Sequence, residues 1–331
     1  MTSSSVSLGE LLAPVQGGLR AMRTILAAEL TDSGPVGERI EYLGNFRGKE
    51  LRAALVLLAG KATGNDDPEL PHVAAVLELI HLATLVHDDV LDGADLRRNQ
   101  PSVHTQYDEQ TAILLGDMLY SRAFHLSTRL RSILAARVLS QAAQRICAGE
   151  MEQAALRYSF DLPQERYEAI ASAKTAELYG AACELGAHYP ASPETPLRPA
   201  AASLRAFGME LGLAFQITDD LLDLTGNERE VGKRVGNDVD DGKVTLAVLH
   251  TYAHSGASTQ AAIRRAYQEP GIHDRLAALH EACDLGAGVA YARARAQELL
   301  RSARSRALQL DSGPAQQTLL RMADYLLDRK T

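Results

Sequence analysis

At 331 residues the chain exceeds the roughly 100–200 usual for one domain. Its 46% hydrophobic content with 5% aromatics and no Trp favours a large core of packed helices over a sheet. A net charge of -8, from 42 acidic against 34 basic residues, argues against a nucleic-acid partner, because phosphate contacts need a basic face.

The start of the chain is Ser-rich and has no basic region followed by an apolar run, so no signal peptide is expected. Leu8 to Leu30 carries apolar residues at helical spacing, and Thr31 to Gly37 is a Ser/Gly/Pro break. A second helix is predicted from Glu38 to Ala62, with Lys49 and Arg52 one turn apart on it. After a loop from Thr63 to Pro71, the segment His72 to Asp92 is apolar nearly all round, interrupted by Glu78, His81 and Thr84. Such a helix is buried on most of its surface. Helices follow at Ala112–Leu130, Ile133–Arg157 and Arg166–Ala187, then a Pro-rich loop from Tyr189 to Pro199. A mostly apolar helix from Ala200 to Leu224 ends in acids, and a polar loop runs from Gly226 to Gly242. The remainder is helical by period, with breaks near Ser255–Ser258, Pro270 and Asp311–Pro314. No strand, repeat or membrane span is expected, which gives one all-α domain over residues 1–331. Cys147, Cys183 and Cys283 are scattered, which argues against a disulfide framework and for a reducing, cytoplasmic setting.

Two acid clusters carry the chemistry. Asp88, Asp89 and Asp92 form DDxxD, and Asp219, Asp220 and Asp223 repeat it. Spacings of three and four place the carboxylates of each trio on one helical face. Both trios end otherwise apolar helices, where unpaired carboxylates are costly, so a cation is expected nearby. An all-oxygen donor set favours Mg²⁺, and the lack of a Cys or His pair disfavours zinc. Lys49, Arg52, Arg97, Arg98, Lys174, Lys233 and Lys243 each read singly as a surface charge. Together with the acids they suit a polyanion held through Mg²⁺ on one side and cations on the other. His81, two turns before the aspartates, reads either as a satisfied core histidine or as a diphosphate contact, and His87 as a structural residue.

These residues resemble the trans-isoprenyl diphosphate synthases, the polyprenyl synthetase family. The likeness covers Gly48-Lys49-x-x-Arg52, the stretch His81 to His104, Gly116-Asp117, Lys174-Thr175, Phe215-Gln216-x-x-Asp219-Asp220-x-x-Asp223, Gly232-Lys233 and Gly242-Lys243-x-Thr245. It implies a homodimer of helical bundles with both aspartate clusters on one cavity. It also implies Asp88, Asp92 and Asp219 as Mg²⁺ ligands on an allylic diphosphate, supported by Asp89, Asp220 and Asp223. Arg97, Lys174, Lys233 and Lys243 would hold that allylic diphosphate, and Lys49, Arg52, His81 and Arg98 would hold isopentenyl diphosphate. Thr175 and Gln216 would lie near the reacting carbons. Two departures stand out: Ala53 where the family usually has Pro, and Asn99 where it usually has Gly. Neither removes a charge, so altered loop geometry with retained chemistry is expected.

The chemistry implied is ionisation of the allylic diphosphate, attack by the isopentenyl double bond, and proton loss to the released diphosphate. Water exclusion by an apolar bundle protects the cation. One helical turn rises about 5.4 Å, so Ala83 and Thr84 lie just over a turn below Asp88. Both are small, which predicts a linear product of about twenty carbons or longer. The rival readings are a terpene cyclase-like helical protein and a non-catalytic partner subunit. The former lacks its second type of metal motif here, and the latter is expected to have lost an aspartate or cation.

Overall fold

The structure is a computed structural model and describes residues 8–31, 34, 36–46, 48–226 and 235–327. The principal helices are α1 (Gln16–Glu29), α2 (Leu51–Ala62), α3 (Leu70–Leu91), α4 (Glu109–Thr128), α5 (Leu134–Ala155), α6 (Gln164–Ala171) and α7 (Glu177–His188). They continue as α8 (Pro199–Thr225), α9 (Leu246–Ala253), α10 (Ala257–Gln268), α11 (Arg275–Ala282), α12 (Gly286–Ala307) and α13 (Pro314–Leu327). The fold is all-α, as the composition and periodicity predict. The chain forms two compact units. The first takes residues up to Ala143, Leu178–Met209 and Ala303–Tyr325, and the second takes Gln144–Glu177, Glu210–Ser302 and the residues from Leu326.

In the first unit α3 is the central element and packs against α1, α2 and α4. Its 22 residues start with Pro71 in the first turn, where the missing N–H costs nothing, and Val73 to Leu77 are all buried. Burying each such Leu, Ile or Val stabilises by about 1.5–3 kcal/mol. Among the described helices only α3 has the length and composition of a membrane span, with a mean hydropathy of 1.4 over its best window. Yet 67% of that window is buried within the protein, as a core helix requires. Helix α4 begins at Asp108, whose carboxylate accepts the Thr111 N–H at 2.6 Å, a side-chain N-cap.

In the second unit, a single π turn over Ser172–Ala176 follows α6. Helices α9, α10 and α11 pack in succession. The buried rings of Phe160, Tyr252 and Tyr267 pack together, with Phe160 5.1 Å from Tyr252 and edge-on to Tyr267 at 5.2 Å.

Two sequence expectations are corrected. The helix predicted from Glu38 to Ala62 is broken: Gly37–Tyr42 is helical, Leu43–Phe46 is a 3₁₀ turn, and α2 restarts at Leu51. Gly44, Asn45 and Gly48 have low helix propensity, and Glu50 takes a left-handed conformation, φ 53°. Lys49 therefore precedes α2 and does not share a helix with Arg52. The second correction is a small hairpin, β1 (Leu96–Arg97) paired antiparallel with β2 (Gln100–Pro101). Its turn residues Arg98 and Asn99 both have positive φ, 52° and 61°, as a two-residue turn of the primed kind demands. Asn tolerates that region better than most residues, so Asn99 serves where a glycine would be at ease.

Candidate active site

The first acid cluster closes α3. Asp88 is half-buried, Asp89 is 2% exposed, and Asp92 is exposed at the C-cap. Asp89 is clasped by the Arg97 guanidinium through Nε at 2.7 Å and Nη2 at 2.6 Å, a two-pronged charge-assisted pair that holds β1 against the helix end. Behind the cluster, His87 Nε2 hydrogen-bonds the Ile113 carbonyl at 3.0 Å. Gly116 leaves room for that ring, since a Cβ there would lie 2.1 Å from His87 Nε2. The motif residue Gly116 thus serves the packing of α3 on α4.

The cations assigned to isopentenyl diphosphate gather at the start of α2. Arg52 Nη1 lies 2.9 Å from His81 Nε2, and its guanidinium carbon is 4.5 Å from the centre of the Tyr179 ring. Arginine only donates, so His81 Nε2 accepts and the imidazole proton sits on Nδ1. Burial, followed by the charges of Arg52, Arg97 and Arg98, holds His81 well below the usual histidine range, so the ring is neutral. Arg98 donates Nη1 to the Phe46 carbonyl, and its guanidinium lies over Gly48. Lys49 Nζ stands 6.0 Å from the Tyr325 ring centre. Of the two residues expected to set product length, Thr84 is half-buried, with its hydroxyl donating to the His81 carbonyl at 2.8 Å. Ala83 has no exposed surface.

In the second unit three of the motif residues, Thr175, Gln216 and Asp220, join Tyr167 in a chain of hydrogen bonds. Thr175 Oγ1 donates to Gln216 Oε1 at 2.6 Å, Gln216 Nε2 donates to Asp220 Oδ1 at 2.7 Å, and Tyr167 Oη donates to Asp220 Oδ2 at 2.6 Å. Burial pushes the Asp220 carboxyl up to about 6, against the opposing pull of the Tyr167 and Gln216 hydrogen bonds. Burial and the Asp220 charge push the Tyr167 hydroxyl well above its ordinary value, so it remains a donor. The π turn carries Lys174 and Thr175 side by side. Lys174 Nζ is held by Glu150 at 2.7 Å and Gln153 at 2.5 Å. Asp223, 4% exposed, accepts the Asp238 N–H at 2.9 Å, which ties the end of α8 to the returning chain. Lys243 pairs with Asp241 at 2.9 Å. Lys233 lies outside the described residues.

Two residues at these sites carry no motif signal. Tyr167, two turns before Lys174, completes the coordination of Asp220, and Glu78, one turn before His81, faces the start of α2. In the sequence Glu78 is only a polar interruption of an apolar helix, although its spacing from His81 places both on one face.

The donors fit a hard divalent cation, being carboxylate oxygens throughout. Among the described residues no three acidic, His or Cys groups converge on one point as a ready-made cage. Mg²⁺ is typically held by one or two carboxylates, waters and substrate phosphates, so this arrangement suits it better than it suits zinc.

Comparison with known proteins bears on the same residues. The profile of the family described as Polyprenyl synthetase matches residues 35–282. Component 2 of heptaprenyl diphosphate synthase from Geobacillus stearothermophilus is 40% identical over 249 residues, 75% of this chain and 76% of that protein. Octaprenyl diphosphate synthase from Escherichia coli (strain K12) is 31% identical over 323 residues, 97% of this chain and 98% of its own length. The crystal structure of a polyprenyl synthase from Caulobacter crescentus CB15, complexed with calcium and isoprenyl diphosphate, superposes with a TM-score of 0.89. It is 29% identical, with 100% of both chains covered.

Proposed function

Because the chain belongs to the polyprenyl synthetase family, we propose that it condenses isopentenyl diphosphate with an allylic diphosphate to give a linear trans-prenyl diphosphate. The observation that carries this reading is the family match across residues 35–282, which contains both complete aspartate trios. That match also includes parts of both compact units, which supports treating the chain as one prenyltransferase domain.

Asp88, Asp92 and Asp219 are assigned to Mg²⁺ on the allylic diphosphate, with Asp89, Asp220 and Asp223 bracing them. When bound, Mg²⁺ supplies charge neutralisation to the departing diphosphate. Asp89 contributes indirectly by holding Arg97, and Asp220 by fixing Gln216. Arg97, Lys174, Lys233 and Lys243 bind the allylic diphosphate. Lys174 and Lys243 are kept in place by acidic neighbours, so little side-chain freedom is lost on binding. Lys49, Arg52, His81 and Arg98 bind isopentenyl diphosphate, with the neutral His81 offering its Nδ1 proton. Thr175 and Gln216, locked to each other, direct their dipoles at the allylic cation.

The product is about twenty carbons or longer, because Thr84 and Ala83 leave the face below Asp88 without a bulky floor. Relatives named for heptaprenyl and octaprenyl products support the longer end of that range. The protein acts in the cytoplasm, in keeping with three unpaired cysteines, and as a homodimer. A second assembly reading, pairing with a different subunit, is favoured by the relative named as a component 2.

Incubation with labelled isopentenyl diphosphate, Mg²⁺ and allylic primers of increasing length tests the activity, its metal dependence and the product length. Chain-length analysis is expected to show linear diphosphates, and a chelator is expected to abolish them. Hydrocarbon products, or turnover that survives chelation, would sink the reading.

A further inference from the structure

The first turn of α2 is held in an unusual way. Its N-cap residue, Glu50, is left-handed at φ 53° and makes no side-chain cap bond. The Glu50 carboxylate is engaged instead by Arg23, at 2.6 Å. The N–H of Ala53, one of the donors that a helix start leaves unsatisfied, is accepted by Glu78 Oε1 of α3 at 3.1 Å. Glu78 is half-buried, and burial raises its carboxyl above the usual range against the opposing charge of Arg52 and the Ala53 hydrogen bond. Arg52 has Tyr179 on one side and His81 on another, and its buried Nε–H has no hydrogen-bond acceptor. The charge of Glu78 attracts that guanidinium, which offsets part of the cost of leaving its Nε–H without an acceptor. The contact depends on Ala53, because a proline at that position has no N–H to give.

We propose that Glu78 is a positioning residue for the isopentenyl diphosphate subsite, fixing the first turn of α2 through the Ala53 N–H and aiming Arg52 by its charge. This rests on the assignment of Arg52 to that subsite. Glu78 does not touch substrate; it acts through Arg52 and the backbone beside it.

Steady-state kinetics of the full-length protein separate the possibilities, with E78Q, E78L, A53P and R52A compared alongside thermal melting. E78Q keeps an acceptor oxygen but loses the charge, and is expected to raise KM for isopentenyl diphosphate about tenfold. Its kcat and its KM for the allylic primer are expected to stay within about twofold of the parent. E78L loses both functions and is expected to raise that KM further. A53P is expected to raise it modestly alone and to add nothing on top of E78L, because the two changes remove one contact. If R52A raises KM for isopentenyl diphosphate and E78Q does not, the role of Glu78 is refuted while the subsite stands. An unchanged KM in R52A overturns the subsite assignment itself. A uniform loss of kcat with a lowered melting temperature in E78Q, and no selective rise in that KM, reduces Glu78 to a structural residue.

Discussion

Gly48 has no side chain because Arg98 occupies the space where one would stand: a Cβ there would fall 2.3 Å from Arg98 Nη2. The obstacle is the far end of a flexible side chain, so it can move aside at little cost in stability. G48A is therefore expected to keep its melting temperature within about 2–4 °C of the parent, the shift produced by roughly 1 kcal/mol. Displacing Arg98 should meanwhile raise KM for isopentenyl diphosphate about tenfold. Equal KM values in the two proteins would count against Arg98 as a ligand. At this scale the charged groups were legible, because two DDxxD trios and several spaced cations are chemically specific. Their partners were not. Nothing in the order of residues shows that Tyr167 donates to Asp220, that Arg97 is spent partly on Asp89, or that Glu78 accepts from Ala53. Each of these pairings follows from which elements pack against each other: helix on helix for Tyr167 and Glu78, and the hairpin on the end of α3 for Arg97.

Among elements, α3 is legible almost to its ends, since 22 residues of nearly unbroken apolar character fit a helix that hides most of its surface from water. Apolar spacing continues through the segment before α2 and by itself predicts one helix, while Gly44 and Gly48 interrupt it and the left-handed Glu50 precedes the restart at Leu51. Position on α3 also separates the two residues expected to control product length. Ala83 is fully buried, so Phe there overpacks a tight interior, at about 1–3 kcal/mol. Thr84 retains accessible surface and lies one turn from Asp88 on the same face. T84F is expected to shorten the product with little change in melting temperature, whereas A83F is expected to lower the melting temperature as well. Sizing the products of both variants by chromatography tests the assignment, and an unchanged distribution in both would remove α3 from chain-length control.

For the whole molecule, the proposed homodimer is testable on α4. Ile113 and Phe124 on α4 are 47% and 42% exposed, and their separation of eleven residues places them three turns apart on one helical face. Such a face invites an apolar partner, and F124E is expected to shift the protein from dimer to monomer in light scattering after gel filtration. A parent protein that is monomeric at micromolar concentration would end the homodimer proposal. The sequence by itself determined the all-α class, the family and the identity of the acids and cations, because hydrophobic period and charged motifs are local properties of the chain. The tertiary structure decided which carboxylate each cation meets, which small residue keeps an open face, and where a glycine stands in for a neighbour's side chain. Those depend on contacts between residues far apart in the chain, and the spacing of residues along one strand of sequence does not encode them.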